Sequence, residues 1–269
     1  MNELQFFWAA MVAYGIAGGV GIVGFVFHRR LERALLLAIT LGLVLHAVAI
    51  GLRWERLGHG PFVTLFEILS SNLWSMTLAF ALACWRLPSI QPIAGAIMPI
   101  LFMMMAWLLT SSPAEGHLPP TYHTIWLYIH VAFGKIFFGA VLIAVGISGV
   151  ILARLSTVGL ARFARMPTDT SLAELAFRCL SVGFVFESLM LIVGAIWAQD
   201  AWGRYWAWDP LETWAFLTWL LLALTLHARF TYKLTPRVAS LLVLAVFVVA
   251  FLTFFGVPFV STTPHQGAV

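Results

Sequence analysis

The sequence predicts an all-α, polytopic membrane protein with about eight transmembrane helices and both termini on the extracytoplasmic side. Two features of composition support this: 62% of the 269 residues are hydrophobic and only 10% are charged. Soluble domains average about 25% charged residues, so the composition excludes that class. A third feature is that the apolar residues form long runs without strict alternation, which favours helices over the strands of a membrane barrel.

Eight apolar segments are each long enough for a helical span, which needs about 20 residues. They lie near residues 6–27, 34–52, 66–86, 90–110, 124–153, 178–198, 211–230 and 238–256. The stretches between them are too short to form a separate folded core. We therefore expect residues 1–269 to form a single integral membrane domain.

Lysine and arginine residues are distributed unequally between the two sets of connecting loops, and this predicts the orientation. One set is rich in them and includes Arg29, Arg30, Arg33, Arg154, Arg162, Arg165, Arg229 and Lys233. The opposite set contains only Arg53, Arg56 and Arg204. Because short basic loops remain in the cytoplasm, the loops around 53–65, 111–123 and 199–210 are predicted to be external. No basic face remains for binding nucleic acid.

The external loop at 199–214, which leads into the seventh span, concentrates aromatic side chains. From Trp202 to Trp214 it reads WGRYWAWDPLETW, and five of these thirteen residues are Trp or Tyr. An interfacial belt would scatter such residues over all helix ends. Aromatic faces gathered in one loop instead suit a flat, conjugated, apolar ligand. Asp209 also fits the N-cap of the seventh helix, with Pro210 first and Glu212 third, as in a capping box.

The segment WGRYWAWDPLETWAFLTWL closely resembles the tryptophan-rich WWD signature of the CcsA (ResC) family of cytochrome c biogenesis proteins. The resemblance continues in the residues HAR at 227–229, and upstream in WLYIHV at 126–131 and in the RW, GHGP and LFE motifs within 53–67. It covers roughly the whole chain and departs from the family pattern at Leu211, where the family usually has lysine. It implies an eight-span protein that handles heme for covalent attachment to c-type cytochromes.

The resemblance also implies which histidines hold heme iron. It implies two external histidines beside the tryptophan loop, here His130 at the start of span five and His265 beyond span eight. It further implies an intramembrane histidine for heme uptake, here His227 near the cytoplasmic end of span seven. Imidazole is the usual nitrogen ligand of heme iron. Three alternatives stay open: a hydrogen-bonded interfacial role for His130, a place in a terminal tail for His265, and a capping or snorkelling role for His227.

The partner of His227 is also open among His46, His28 and a residue of another subunit. His46 lies much deeper in its span than His227, and His28 lies among arginines. For His46, core hydrogen bonding and a heme role are equally open. The other external histidines, at 59, 117 and 123, are expected to be solvated or to anchor loops.

The tryptophan loop supplies the remaining predicted heme contacts. These are the aromatic residues Trp202, Trp206 and Trp208, the cap residue Asp209, and Arg204 as a partner for a heme propionate. Lys135, five residues after His130, is another propionate candidate. No residue in the chain suggests a general base for thiol addition, so no catalytic residue is assigned.

These features together predict a subunit of a cytochrome c synthase that presents heme b to apocytochrome c carrying a CxxCH segment. The subunit is also expected to translocate heme across the membrane. The resemblance implies a CcsB-type membrane companion, and heme lyase activity is expected only together with it. The expected location is the inner membrane of a bacterium or the thylakoid membrane, with the loop on the outer or lumenal side. Two alternatives are a heme carrier of the CcmC type, with six spans, and a non-heme transporter or structural membrane subunit.

Overall fold

The structure is a computed structural model that describes residues 2–27 and 31–257. Within these ranges the regular structure is helical and no strand occurs. Eight of the described helical segments are long and apolar enough to cross a membrane. The predictions of an all-α fold and of eight spans are therefore confirmed, whereas the orientation of the termini stays a prediction.

The helices follow the predicted order, with one short addition between the fifth and sixth spans. They are α1 (Glu3–Val26), α2 (Glu32–Leu57), α3 (Leu65–Arg86), α4 (Ala94–Thr110), α5 (Ile125–Ala153), α6 (Thr157–Arg162), α7 (Asp169–Trp202), α8 (Pro210–Thr231) and α9 (Pro236–Phe255). A 3-10 helix, Pro88–Ile93, precedes α4 and completes the fourth candidate span. The six-residue helix α6 is too short to cross a membrane.

The sixth span begins at Asp169 rather than near residue 178, so that predicted boundary was wrong. The Thr168 hydroxyl caps the helix by accepting a hydrogen bond from the backbone N–H of Ser171. The first turns bury Leu172, Ala173 and Ala176 on one face only. An amphipathic segment of this kind has low average hydropathy, and a search for continuous apolar runs therefore misses it.

The chain divides into two compact units, Met1–Glu115 and Gly116–Val269. In the first unit α1 packs along α2, and α3 contacts both α2 and α4. The helices α1 and α2 pack tightly at Gly42, where an added Cβ would lie 2.5 Å from the ring of Tyr14. The single membrane domain over 1–269 stays a prediction.

In the second unit, α5 is the central helix. It packs along α7 and also contacts α9. Its inner residues Phe137, Val141, Leu142, Ala144, Ile147 and Val150 are fully buried. The helices α5 and α7 run antiparallel: Gly134 lies against Met190, whereas Gly183 lies seven residues nearer the start of α7 and packs on Val141. Small residues at such contacts allow close packing of membrane helices.

One end of the first unit contains a group of paired charges, which we call the Arg53 cluster: Glu3, Arg53, Arg56, Glu67 and Glu115. Arg53 Nε donates to Glu67 Oε1 at 2.9 Å, and its Nη1 donates to Glu3 Oε1 at 3.2 Å. The side chains of Arg53 and Glu67 are 7% and 1% exposed. Arg56 also binds Glu3 and Glu115, but its side chain is 45% exposed.

The Arg53 cluster also fixes two loops. The guanidinium of Arg53 donates to the carbonyl oxygens of Pro113 and Ala114, at 3.2 and 2.7 Å. Glu67 Oε2 accepts from the backbone N–H groups of Val63 and Thr64. Arg53 therefore joins α1, α3 and the segment after α4 through four hydrogen bonds.

Candidate functional site

The tryptophan loop connects α7 to α8, and both of its ends are fixed by helix caps. Gly203 ends α7 in the left-handed conformation, with φ of 72°, and its N–H donates to the carbonyl of Gln199. Glycine is the usual residue at this position because it has no Cβ. At the other end Asp209 is the N-cap of α8, and its carboxylate accepts from the N–H of Glu212 at 2.9 Å.

The predicted cap is confirmed, but the capping box differs in detail. Pro210 occupies the first helical position and Glu212 the third. The side chain of Glu212 accepts from the N–H of Ala207, at 2.7 Å. It therefore closes the loop two residues before the cap. Asp209 and Glu212 together hold the backbone of 207–209 against the start of α8.

Replacing Asp209 by alanine is expected to lower the free energy of unfolding by about 1 kcal/mol, within the 0.5–2 kcal/mol range for lost N-caps. The N–H of Glu212 would lose its acceptor in a position where Asp209 is buried. The measurement is a denaturant titration in mixed micelles. Asp209→Asn keeps a capping oxygen and is the control. An equal loss in both variants would contradict the capping role.

Trp208 adopts a left-handed backbone conformation, with φ of 59°, and no other described non-glycine residue has positive φ. This conformation costs an L-residue roughly 1–2 kcal/mol. The side chain is 66% exposed and meets Trp206 edge to face, with ring centroids 5.6 Å apart. Phe216 of α8 packs against both rings. The turn therefore presents the indole of Trp208 at the surface of the unit.

Trp206 lies beside Trp208 and is half-buried. Its indole Nε1 is shielded but has no hydrogen-bond partner in the described part of the chain. Buried indole N–H groups normally find an acceptor. Arg204 and Tyr205, in the preceding turn, are exposed. This side of the loop thus combines aromatic faces with an indole donor and a cation.

Trp202 belongs to a second aromatic group, which contains Tyr122, Trp197 and Trp202. Trp202 Nε1 donates to the Tyr122 hydroxyl at 2.8 Å, and its ring meets Trp197 edge to face at 4.9 Å. Tyr122 and Trp197 were not predicted as site residues. No local pattern indicated the contact between Tyr122 and Trp202, because the two residues are 80 positions apart.

His130 joins this second group through Trp197. The two rings are nearly parallel, at 17°, with centroids 6.3 Å apart. His130 Nδ1 lies 2.9 Å from the carbonyl oxygen of Met190 in α7. Because a carbonyl cannot donate, Nδ1 carries a proton, and in the neutral ring Nε2 therefore has the lone pair. This is the usual arrangement for an imidazole that binds a metal through Nε2.

Gly194 of α7 makes this position of His130 possible. A Cβ added at Gly194 would lie 2.7 Å from His130 Nδ1 and 2.8 Å from its Cε1. No side chain larger than hydrogen therefore fits while the ring remains bonded to Met190. The sequence alone could not indicate that Gly194 is important, since it is one of 21 glycines.

Another predicted ligand, His227, lies away from this site. His227 is exposed in the last turn of α8, with Nε2 3.3 Å from the Thr231 hydroxyl. Along α8, at ~1.5 Å per residue, the rise from Pro210 to His227 is about 26 Å, so His227 lies far from the tryptophan loop. His265 and His28 lie outside the described residues, so their predicted roles stay predictions.

Two other histidines, His46 and His59, and Lys135 lie in different surroundings. His46 is buried in the first unit, where Nε2 lies 2.8 Å from Ser70 Oγ and Nδ1 3.4 Å from the Tyr14 hydroxyl. His59 is buried and lies 3.0 Å from the carbonyl of Gly60, so it anchors its loop. Lys135 is half-buried in α5. No group of three or more His, Cys, Asp or Glu residues in the described ranges could hold a metal ion.

Comparison with known proteins identifies the family. A family described as "Cytochrome C assembly protein" matches residues 28–265. The chain belongs to this family. A CcsA protein of Prochlorococcus marinus (strain AS9601), a cytochrome c biogenesis protein, is 31% identical over 273 residues, which cover 91% of this chain and 87% of that protein. The predicted resemblance to CcsA proteins is therefore confirmed.

Two other similar proteins are longer than this cytochrome c assembly protein. The CcsA protein of Chlamydomonas reinhardtii is 30% identical, and the match covers 80% of this chain but 62% of the algal protein. A solved structure of the cytochrome c heme lyase CcmF has the same fold, with a TM-score of 0.71 and 16% identity. That match covers 95% of this chain and 47% of CcmF.

Proposed function

We propose that this cytochrome c assembly protein binds heme b beside its tryptophan loop and presents it for covalent attachment to apocytochrome c. Family membership supports a role in cytochrome c biogenesis. The observation that carries the proposal for this site is the fixed His130 imidazole, linked through Trp197 to Trp202 at the start of the loop. An imidazole can bind heme iron, and flat aromatic side chains can cover the porphyrin.

The chemistry of the loop suits a porphyrin. The exposed face of Trp208 offers stacking area, and the unpartnered Nε1 of Trp206 is a donor for a propionate oxygen. Arg204 adds a positive charge within two residues of Trp206. Asp209 contributes indirectly, because its cap fixes the turn that presents Trp208.

His265 is proposed as the second axial ligand, on the strength of the family resemblance. His227 is proposed as a ligand for heme during uptake, at the other end of α8 from the loop. Its partner is proposed to come from His46, His28 or another subunit. A heme role for His46 would require breaking its contacts with Ser70 and Tyr14.

In the proposed reaction, each cysteine thiol of a CxxCH segment adds across one heme vinyl group. A carbon–sulfur bond forms, the vinyl double bond is consumed, and the thiol hydrogen goes to the neighbouring vinyl carbon. The chain contributes proximity and orientation. We propose that a CcsB-type companion completes the synthase, in the inner membrane of a bacterium or in a thylakoid membrane, with the loop on the outer or lumenal side.

Family membership argues against a structural subunit or a transporter unrelated to cytochrome c. The eight candidate spans argue against the six-span layout of the CcmC-type carrier. A carrier would pass heme on to a chaperone, whereas the proposed synthase subunit would transfer it to apocytochrome c in the presence of the companion.

Purified protein, co-expressed with its companion, is expected to give the absorption spectrum of six-coordinate bis-histidine heme. His130→Ala and His265→Ala are each expected to abolish or shift that spectrum, because each removes one iron ligand. His227→Ala is expected to lower the amount of heme bound, because it acts in uptake.

His117→Ala is the matched control, since His117 is exposed in the loop before α5 and is outside the proposed site. Its spectrum should equal that of the wild type. If the bis-histidine spectrum survived in both His130→Ala and His265→Ala, the assignment of these two histidines as iron ligands would be wrong. If the wild type bound no heme at all, the proposed function would fail.

A further inference from the structure

A partly open cavity lies among four helices of the second unit, at the end opposite the tryptophan loop, and its empty space of about 340 Å³ includes open solvent. Its polar residues are Ser148 of α5, Thr225 and Arg229 of α8, and Ser240 of α9. Residues of the first turns of α7, including Ala173 and Ala176, form an apolar wall. We call this the Ser240 cavity.

Four polar atoms that line the Ser240 cavity are buried without a hydrogen-bond partner in the described part of the chain. They are Ser148 Oγ, Thr225 Oγ1, Ser240 Oγ and Arg229 Nε. Ser148 and Ser240 are at most 1% exposed, and Thr225 is 6% exposed. Such groups cost free energy unless something binds them.

The three hydroxyls differ from other hydroxyls in the spanning helices α7 and α8 of the same unit. Ser181, Ser188 and Thr218 each donate to the carbonyl of the residue four positions earlier, at 2.7–3.0 Å. That local bond is the usual solution for Ser and Thr in apolar helices. Ser148, Thr225 and Ser240 could adopt it and do not, so their hydroxyls are available to the cavity.

Arg229 gives the cavity a positive charge at its mouth. Its side chain is 26% exposed, and its guanidinium lies over the ring of Phe177, 6.0 Å from the centroid. Glu174 is 3.8 Å away, but its carboxylate also accepts a 3.2 Å bond from Arg178. Two guanidinium groups thus share one carboxylate, and a net positive charge remains.

We propose that the Ser240 cavity binds a phosphoryl group, from the headgroup of an anionic membrane lipid or from inorganic phosphate. Three hydroxyls and a guanidinium approach from three helices, which suits a tetrahedral group with several acceptor oxygens better than a planar carboxylate. The apolar wall on α7 suits the first carbons of a lipid. The site contains no histidine and is independent of the proposed heme site.

The test uses the full chain purified in a neutral detergent, with the apparent Tm measured against added phosphatidylglycerol or sodium phosphate. One of these additions is expected to raise Tm, with saturation. A rise with the lipid alone assigns the headgroup as the source, and a rise with phosphate as well shows that the phosphoryl group suffices. No rise with either addition would overturn the proposal.

Two variants test whether the response comes from this cavity. Arg229→Gln and the nearly isosteric Thr225→Val are each expected to raise the ligand concentration needed for half of the Tm response about tenfold. That is the loss typical of one hydrogen bond to a charged group. Ser181→Ala is the control, because that hydroxyl is bonded within its own helix. If Arg229→Gln does not fold, Thr225→Val decides. A Thr225→Val protein with a wild-type response would overturn the proposal.

Discussion

Arg53→Met is expected to destabilise the protein by about 3–5 kcal/mol, the range observed when one partner of a buried ion pair is removed. The substitution approximately keeps the side-chain volume, but it leaves the carboxylate of Glu67 buried without its cation. Glu3 loses one of its two arginines and keeps only the more exposed Arg56. The carbonyls of Pro113 and Ala114 also lose their donors. A denaturant titration in mixed micelles, followed by tryptophan fluorescence, measures the loss.

Arg56→Met is the matched control. Arg56 binds the same Glu3, but its side chain is 45% exposed, and exposed pairs contribute only about 0–1 kcal/mol. Adding Glu67→Gln to Arg53→Met should recover part of the loss, since it removes the carboxylate that is left buried without its arginine. If Arg53→Met and Arg56→Met lowered the free energy of unfolding equally, burial of Arg53 would not determine how much it stabilises the protein.

Gly194→Ala is expected to weaken heme binding at the tryptophan loop by about 10–100-fold, the usual effect of disturbing a group that orients a metal ligand. The new Cβ would lie 2.7 Å from His130 Nδ1, so the ring must leave the carbonyl of Met190 or the helices must separate. The measurement is a heme titration followed by the absorption spectrum. A shifted spectrum would indicate that the imidazole has turned.

Gly183→Ala is the control for this substitution. It lies in the same helix and also faces α5, but its Cβ would meet Val141 at 3.4 Å and Phe137 at 3.6 Å, which are ordinary contacts. Its heme affinity should equal that of the wild type. If Gly194→Ala bound heme normally, the fixed orientation of His130 would not matter for the site. If both variants lost heme alike, general loosening of α5 and α7 would be the cause.

The number of spans and the cap at Asp209 could be predicted because both are local properties. A continuous apolar run is visible in any window of the sequence, and a cap needs only the residues Asp209 to Glu212. The start of α7 at Asp169 was missed because its first turns are amphipathic. The tryptophan motif also identified the loop and the family, since a long, unusual run of aromatic residues is specific by itself.

The long-range contacts could not be predicted in the same way. Arg53 was assigned to an external loop by its charge, whereas in the structure it lies within α2 and is buried between Glu3, Glu67 and a turn sixty residues later. Trp202 was predicted from the motif, but its partner Tyr122 lies 80 residues earlier. Charge and hydropathy describe a residue and do not indicate which distant residue it meets.

The sequence by itself determined that this protein is a helical membrane protein of eight spans with a tryptophan-rich loop, because hydropathy, capping and motif are encoded in neighbouring residues. Only the tertiary structure decided which groups hold His130 of α5 in place. The approach of α5 to α7 brings His130 to the carbonyl of Met190 and leaves room for nothing larger than the hydrogen of Gly194. That arrangement depends on the distance between two helices, which no local pattern specifies.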